Sequence, residues 1–407
     1  MLQDNYPATY QNWRSTVINN AVDIGINRIR VEVASGFENP TDYFQQYLNG
    51  QISLTSALSH RYEIVNDNGD PNSLNPGGFN WSRLDLEMDA VVIPMRQRLA
   101  AQNESLYVSI CYVDFGSSSF EHKNNPAEYG EFVLAVYQHI QARYGFAPDA
   151  WEVILEPDTT TAAWTASQIA NVVVAAQNKL LAAGFTPNFI LPSVTSAPDA
   201  LTWYTNIKAT NPAALTYVSE VAYHRYVDIE DSDLVMLKNA VQADGKNTFM
   251  SELIGADYNT LHKDLKIGSN SSWGQFVLAS DIANTDNGSM YFMISPSTGA
   301  VTYGSRTKFL RQYFKFVRRG ARRIGGSSNN ANLDPLAFIN ANGKYVVVVK
   351  ATAGQSFNIV GMPAGTYGIK YTTSSQYDFN LPDQSIGSGG VVTTNIPAAG
   401  VITIYAK

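Results

Sequence analysis

The sequence predicts an α/β protein, a (β/α)8 TIM barrel followed by a small antiparallel β-sandwich. Three observations carry this reading. Eight short β-rich runs recur up to about residue 294, and longer stretches of helical periodicity separate them. After about residue 320 the texture changes to alternating, β-branched runs divided by turn signals. Strands alternating with helices build a parallel sheet, and eight repeats close it into a barrel. The expected domains are therefore 1–319, a barrel, and 320–407, a small sandwich.

The eight strand-like runs are 28–33, 62–66, 106–113, 151–156, 189–192, 218–226, 248–253 and 290–294. Amphipathic helices are expected at 10–24, 84–102, 126–144, 165–183, 199–210, 231–243 and 273–283, with an eighth at 307–319 after the last strand. In the C-terminal part, strands are expected at 336–339, 345–351, 357–360, 366–373, 391–395 and 401–406. Turns rich in Asn, Gly and Pro at 340–344, 363–365 and 387–390 punctuate them. No acidic or histidine cluster marks this part, which is assigned a supporting role.

Composition narrows the function. A net charge of −7 and the lack of any long basic tract argue against nucleic acid. No apolar run is long enough to cross a bilayer. Cys111 is the only cysteine, which removes a disulfide framework and a cysteine metal site; it reads as an inert buried residue. Met-Leu-Gln-Asp-Asn at the start lacks the basic opening and apolar core of a signal peptide. Only 15% of residues are charged, and the surface must be built largely from Ser, Thr, Asn, Gln and Gly. That balance fits a secreted or periplasmic enzyme, expected to be a monomer.

Two glutamates end short apolar runs. Glu156 closes Trp-Glu-Val-Ile-Leu-Glu-Pro-Asp (151–158), where Pro157 cannot continue a ladder. Glu252 lies in Thr-Phe-Met-Ser-Glu-Leu-Ile-Gly (248–255). Barrel enzymes place catalytic groups at the C-terminal ends of strands. These two are 96 residues apart, three βα repeats, so they should face one another across the barrel mouth. Paired carboxylates across a cleft are the chemistry of glycoside hydrolysis.

Strand alternation selects the groups around them. In the first strand Ile29, Val31 and Val33 share one face, and Arg28, Arg30 and Glu32 share the other. If the apolar face packs on helices, the charged row points inward as a polar network; the alternative is a solvated strand end. Glu152, Ile154 and Glu156 share a face of the fourth strand. The sixth ends in Tyr-His-Arg-Tyr, with Tyr223 and Arg225 on one side and His224 and Tyr226 on the other. His224 could orient a carboxylate or touch a sugar hydroxyl, or be a satisfied core histidine. Further candidates for sugar contact are Tyr112 and Asp114 after the third strand, Trp273 before the seventh helix and Tyr291 in the eighth strand. Trp151 lies at the wrong end of its strand and is expected to pack in the base.

The Asx-rich segment 66–80 invites a calcium reading. It lacks the carboxylate spacing and terminal Glu of an EF-hand loop, and Asx, Pro and Gly are also plain turn formers. It is read as an ion-free rim loop, and no metal or cofactor is expected. A metal-dependent barrel hydrolase would need several His and Asp ligands at strand ends. Of the five histidines, only His224 lies on an expected strand.

Glu then Pro on the fourth strand, Glu on the seventh and His-Xaa-Tyr on the sixth resemble the clan A glycoside hydrolases. The segment Tyr-Phe-Lys-Phe-Val-Arg-Arg-Gly-Ala-Arg-Arg-Ile (313–324), followed by Leu-Ala-Phe (336–338) and Lys-Tyr-Val-Val-Val-Val (344–349), resembles the passage from barrel to sandwich in family 30 and its relatives. The resemblance implies a retaining double displacement, with Glu156 as acid/base and Glu252 as nucleophile. It further implies that Tyr226 and Arg30 hold the nucleophile ionised. One departure is Leu155, where the clan carries an Asn whose amide binds the sugar 2-hydroxyl. The function expected is therefore a retaining β-glycosidase, endo-acting on a polysaccharide or oligosaccharide. A non-catalytic or weakly active carbohydrate-binding barrel is the alternative.

Overall fold

The structure, a computed structural model, describes residues 10–116, 118–280, 286–295 and 297–407. The chain forms two compact units, both discontinuous in sequence. The first holds Arg28–Ile254 and Ile267–Val277, together with the start of the first helix. The second holds Ser15–Asn27, Gly255–Lys266 and Leu278–Lys407.

The first unit is organised by a parallel sheet of β1 (Arg28–Ala34), β2 (Tyr107–Val113), β3 (Ala150–Glu152), β4 (Phe189–Val194), β5 (Val218–His224), β6 (Asn247–Glu252) and β7 (Ser272–Trp273), in that spatial order. The sheet is curled. Arg28 on one edge strand donates a 2.7 Å bond to Ser272 Oγ on the opposite edge strand. Six strand spacings in a flat sheet would separate them by roughly 29 Å.

Its helices follow local rules. The helix Pro126–Tyr144 opens on Pro126 and stops at Gly145, whose φ of +76° supplies the left-handed cap. Ala166–Ala182 begins with a capping box between Thr165 and Gln168. In the stretch 82–100 a π turn, Met88–Val92, lies one residue before Pro94, which has no N–H to continue an α ladder.

Three expected elements differ from the structure. Residues 62–66 are not a strand: Tyr107–Val113, with its longer buried run, pairs directly with β1, and Val65 instead bonds Glu38. The expected helix 273–283 is extended where described, as β7 and then β8 (Val277–Ser280); residues 281–283 lie outside the described residues. Gly274 allows this, since a Cβ there would come 3.1 Å from Ser251 O while its N–H bonds Met250 O. The run 290–294 is a strand, β9 (Met290–Ile294), but it pairs antiparallel with β10 (Val301–Tyr303) in a three-stranded sheet with β8. Glu156 thus follows the third strand of the parallel sheet and Glu252 ends the sixth, still three strands apart.

The second unit carries a six-stranded antiparallel sheet. Its order is β11 (Arg322–Ile324), β12 (Leu333–Ile339), β13 (Tyr345–Ala351), β18 (Gly400–Ala406), β15 (Gly365–Thr373) and β16 (Phe379–Ile386). The pair β14 (Gln355–Ile359) and β17 (Val392–Ile396) completes it. Alternation places Val347, Val349, Ile369, Tyr371, Ile402 and Ile404 in one buried cluster. The two strands of this six-stranded sheet that were not expected, β11 and β16, are edge strands, where a pattern such as Leu-Pro-Asp tolerates Pro382. The chain is thus a curled parallel α/β barrel sheet followed by an antiparallel sandwich, as the sequence predicts.

Candidate active site

The inward row of β1 sets up three polar layers. Near the strand start Arg28 makes a bidentate pair with Glu220, at 2.9 and 2.7 Å, beneath the rings of Tyr107 and Phe249. One step up, Arg30 donates to Glu252 Oε2 and to Glu152 Oε1, the latter at 3.4 Å. At the strand end Glu32 accepts from Arg61 at 2.6 Å. The inward polar network anticipated from alternation is present.

Above Arg30 the two glutamates converge. One carboxylate oxygen of Glu156, one of Glu252 and a ring nitrogen of His224 all lie within 4.8 Å of one another. His224 Nδ1 is 2.8 Å from Glu156 Oε1 and 4.0 Å from Glu252 Oε1. Tyr226 donates to Glu252 Oε1 at 2.8 Å. Both oxygens of Glu252 are therefore held, one by a guanidinium and one by a phenol.

Burial differs between the two acids. The Glu252 side chain is 5% exposed and that of Glu156 18%. Burial pushes the Glu252 carboxyl up, but the Arg30 charge, the nearby His224 and the bonds from Arg30 and Tyr226 outweigh it and hold it below the ordinary 4.5. Burial and the neighbouring Glu252 push the Tyr226 phenol up, which keeps it a donor. Burial opposes the Arg30 charge, yet Glu152 and Glu252 raise it well above its usual value.

Local backbone explains the pose of Glu156. After Glu152 the chain leaves the ladder and bonds its neighbours alternately: Val153 N to Ile190 O, Leu155 N to Tyr112 O and Glu156 N to Ser193 O. Glu156 has φ +47°, a left-handed conformation that costs about 1–3 kcal/mol in a non-glycine residue. Such strain clusters where a side chain must be aimed.

The remaining sequence candidates fall elsewhere. Tyr112 is fully buried, bonded to His122 at 2.8 Å and packed edge-on against Tyr129, Phe132 and Trp164. Tyr223 is likewise fully buried and bonded to Asn270. These two placements are corrections: a ring with no exposed face cannot take a sugar. Asp114 is buried and accepts from Ser35 at 2.9 Å, and burial raises its pKa. Trp273 is half-buried on β7, with Met250 as its register partner on β6, two residues before Glu252. Tyr291 lies in β9 of the second unit, buried against Phe314. Trp151 packs in the core and bonds Tyr129.

Sequence reading passed over Glu152 as a working member of the site. It is fully buried and shares Arg30 with Glu252. Its signal was present, since it has the same strand parity as Glu156. Leu155 is buried in a cluster with Cys111 and Val113, edged by Tyr62 and Phe115. Cys111 sits in register between Glu32 and Glu152, both inward, so this apolar cluster belongs to the inner wall of the sheet. Burial raises the Cys111 thiol well above its usual value, which leaves it inert.

The trio Glu156, His224 and Glu252 has the donor types and spacing of a metal site. Its electrostatics argue for another use. Arg30 already supplies a buried cation to Glu252, and a divalent ion would have to displace it or sit beside it.

Comparison with known proteins places the architecture. Residues 320–404 match the glycosyl hydrolase family 30 beta sandwich domain. Along 99% of this chain and 93% of the other, the fold is similar to the catalytic domain of GH30 xylanase C from Talaromyces cellulolyticus, with a TM-score of 0.67 and 16% identity. A GH30 endoxylanase from Clostridium papyrosolvens C71 is similar with a TM-score of 0.62 and 17% identity, over 94% and 97% of the two chains. An endo-beta1,6-glucanase is similar with a TM-score of 0.63 and 16% identity, over 100% and 88%. The resemblance to clan A glycoside hydrolases of the family 30 type thus holds in fold along the chain, and by sequence match in the sandwich.

Proposed function

We propose that the protein is a retaining glycoside hydrolase that cleaves β-glycosidic bonds by double displacement. Glu252 attacks the anomeric carbon and Glu156 protonates the leaving oxygen. Glu156 then takes a proton from the water that releases the glycosyl-enzyme. The observation that carries this reading is the close approach of two carboxylates with unlike surroundings. Retaining enzymes keep their carboxyl groups about 5–5.5 Å apart, whereas inverting ones leave about 6.5–9.5 Å for a water. Here oxygens of Glu156 and Glu252 lie within 4.8 Å. Glu252 is fixed and held ionised at the floor, as a nucleophile requires; Glu156 is the more exposed, as a group exchanging protons with leaving group and water requires.

The substrate we infer is a polysaccharide or oligosaccharide cut internally, in line with the endoxylanase and the endo-beta1,6-glucanase that are similar in fold. The chemistry lies in the barrel region, 1–319, with 320–407 in support, in a secreted or periplasmic monomer that needs no cofactor. Of the aromatic candidates, Trp273 on β7 and Tyr226 just after β5 retain exposed surface.

Leu155 favours a second reading, a weakly active carbohydrate-binding barrel. It puts an apolar wall where clan relatives carry an amide for the 2-hydroxyl, a contact worth several kcal/mol in the transition state. Turnover on a polysaccharide panel decides between the two. Glu252→Gln should lose at least ~10³-fold in kcat with its fold intact, because the attacking group is gone. Binding without turnover in the unaltered protein would favour the second reading, and full turnover by the Gln variant would overturn the first.

A further inference from the structure

We propose that Asp67, Glu128 and Glu131 bind one divalent cation of the calcium class, where the Asx-rich loop 66–80 meets the helix Pro126–Tyr144. Each residue offers a carboxylate oxygen, and these three atoms lie within 4.8 Å of one another. Glu128 and Glu131 are three positions apart on the helix and so share a face.

The cluster is more than an acidic patch. Glu131 is 2% exposed, and neither of its oxygens accepts a hydrogen bond from any described residue. Glu128 is 9% exposed with Oε2 unsatisfied, and Asp67 Oδ1 and Asn66 Oδ1 are also buried and unsatisfied. Apart from the contact between the Glu128 and Glu131 carboxyls, these five oxygens meet neither water nor a donor, which is far outside the usual pattern, in which buried polar atoms are paired. Buried carboxylates in this state either take up a proton or take up a metal.

The loop side is positioned in advance. Asp67 N–H donates to Glu38 Oε1 at 2.9 Å, and Asp67 Oδ2 accepts from Asn75 N at 2.6 Å and from Asn68 Nδ2 at 3.0 Å. A Cβ on Gly78 would stand 2.2 Å from Asp67 Cβ, so the turn closes tightly over that side chain. Oδ1 is left over by this arrangement. The donors are all hard oxygens, with no imidazole or thiolate, which excludes a zinc-type preference. Calcium accepts six to eight such oxygens in irregular geometry at about 2.3–2.6 Å, whereas magnesium seldom uses an all-protein cage. The loop alone lacked a terminal Glu because the fold supplies two from a remote helix. The inference stands apart from the glycosidase reading.

The test is a calorimetric titration of EDTA-treated, desalted protein with calcium chloride alone, paired with thermal melts. One calcium should bind per chain, and a saturating concentration should raise Tm by roughly 3 °C or more. Glu131→Gln should weaken binding at least tenfold and lose the Tm rise. Asp67→Asn, which leaves the helix untouched, should do the same. No binding at millimolar calcium, with Glu131→Gln melting above the unaltered protein, would overturn the proposal and leave a proton shared among the carboxylates. Binding unchanged in both variants would overturn it too, by placing the ion elsewhere. Magnesium binding as tightly as calcium would overturn the assignment of the ion.

Discussion

Arg30 on β1 and Glu252 on β6 are hydrogen-bonded across the interior of the parallel sheet, five strands apart in its order. The second nitrogen of the same guanidinium reaches Glu152 at 3.4 Å. One cation thus serves two buried carboxylates, and the site depends on it for both stability and charge.

Arg30→Met should therefore destabilise the fold by about 3–5 kcal/mol at pH 7, measured by urea unfolding, because it strands two buried acids. Glu252 has a folded pKa below its ordinary 4.5. The stability from its ionisation is complete above about 4.5 and is lost as pH falls through the lower, folded value. In the variant Arg30 no longer lowers Glu252, so less stability should be lost on acidification and the gap to the unaltered protein should narrow as pH falls below about 4.5. An unchanged urea midpoint at pH 7 would contradict the role given to Arg30.

Tyr226→Phe should separate charge control from folding. Tyr226 is 40% exposed, so the fold should lose under about 1 kcal/mol. The hydrogen bond it donates helps lower Glu252. Turnover should fall ~10- to 100-fold, and the acid limb of kcat/KM should move to higher pH as Glu252 becomes easier to protonate. A pH profile superimposable on that of the unaltered protein would remove Tyr226 from the mechanism.

Glu156→Gln should be slow on substrates with poor leaving groups, since protonation of the departing oxygen is lost. Substrates with an activated phenol leaving group should still form the glycosyl-enzyme, and added azide should then accelerate its breakdown. We expect at least ~10²-fold discrimination between the two substrate types, the usual size of a general acid's contribution. Equal loss on both would mean that Glu156 is not the proton donor.

Leu155→Asn should cost about 1–3 kcal/mol in thermal or urea unfolding, because it buries an amide among Cys111, Val113, Tyr62 and Phe115. If Leu155 is what leaves the 2-hydroxyl without a partner, kcat/KM should rise for substrates with that hydroxyl free relative to those with it blocked. A ratio that does not move would show that another residue makes the contact.

Much of the fold was legible because helices are written in local periodicity. The helices at 10–24, 126–144 and 231–243 coincide with the expected spans. The errors occur where pairing decides. Residues 62–66 have strand-like composition but no ladder partner, while 290–294 forms a strand with a different sheet. Residues 273–283 were read as a helix, yet Gly274 and contact with β6 make their described part extended.

The sequence by itself determined the class of fold and the two glutamates, and alternation marked Arg30, His224 and Tyr226 as candidates around them. These follow from period and parity, which are local properties. Only the tertiary structure decided which rings are exposed, burying Tyr112 and Tyr223, and that Glu152 shares the Arg30 cation. It also gathered Asp67 with Glu128 and Glu131. The reason is the same in each case: burial and charge pairing depend on contacts that local period and parity do not encode.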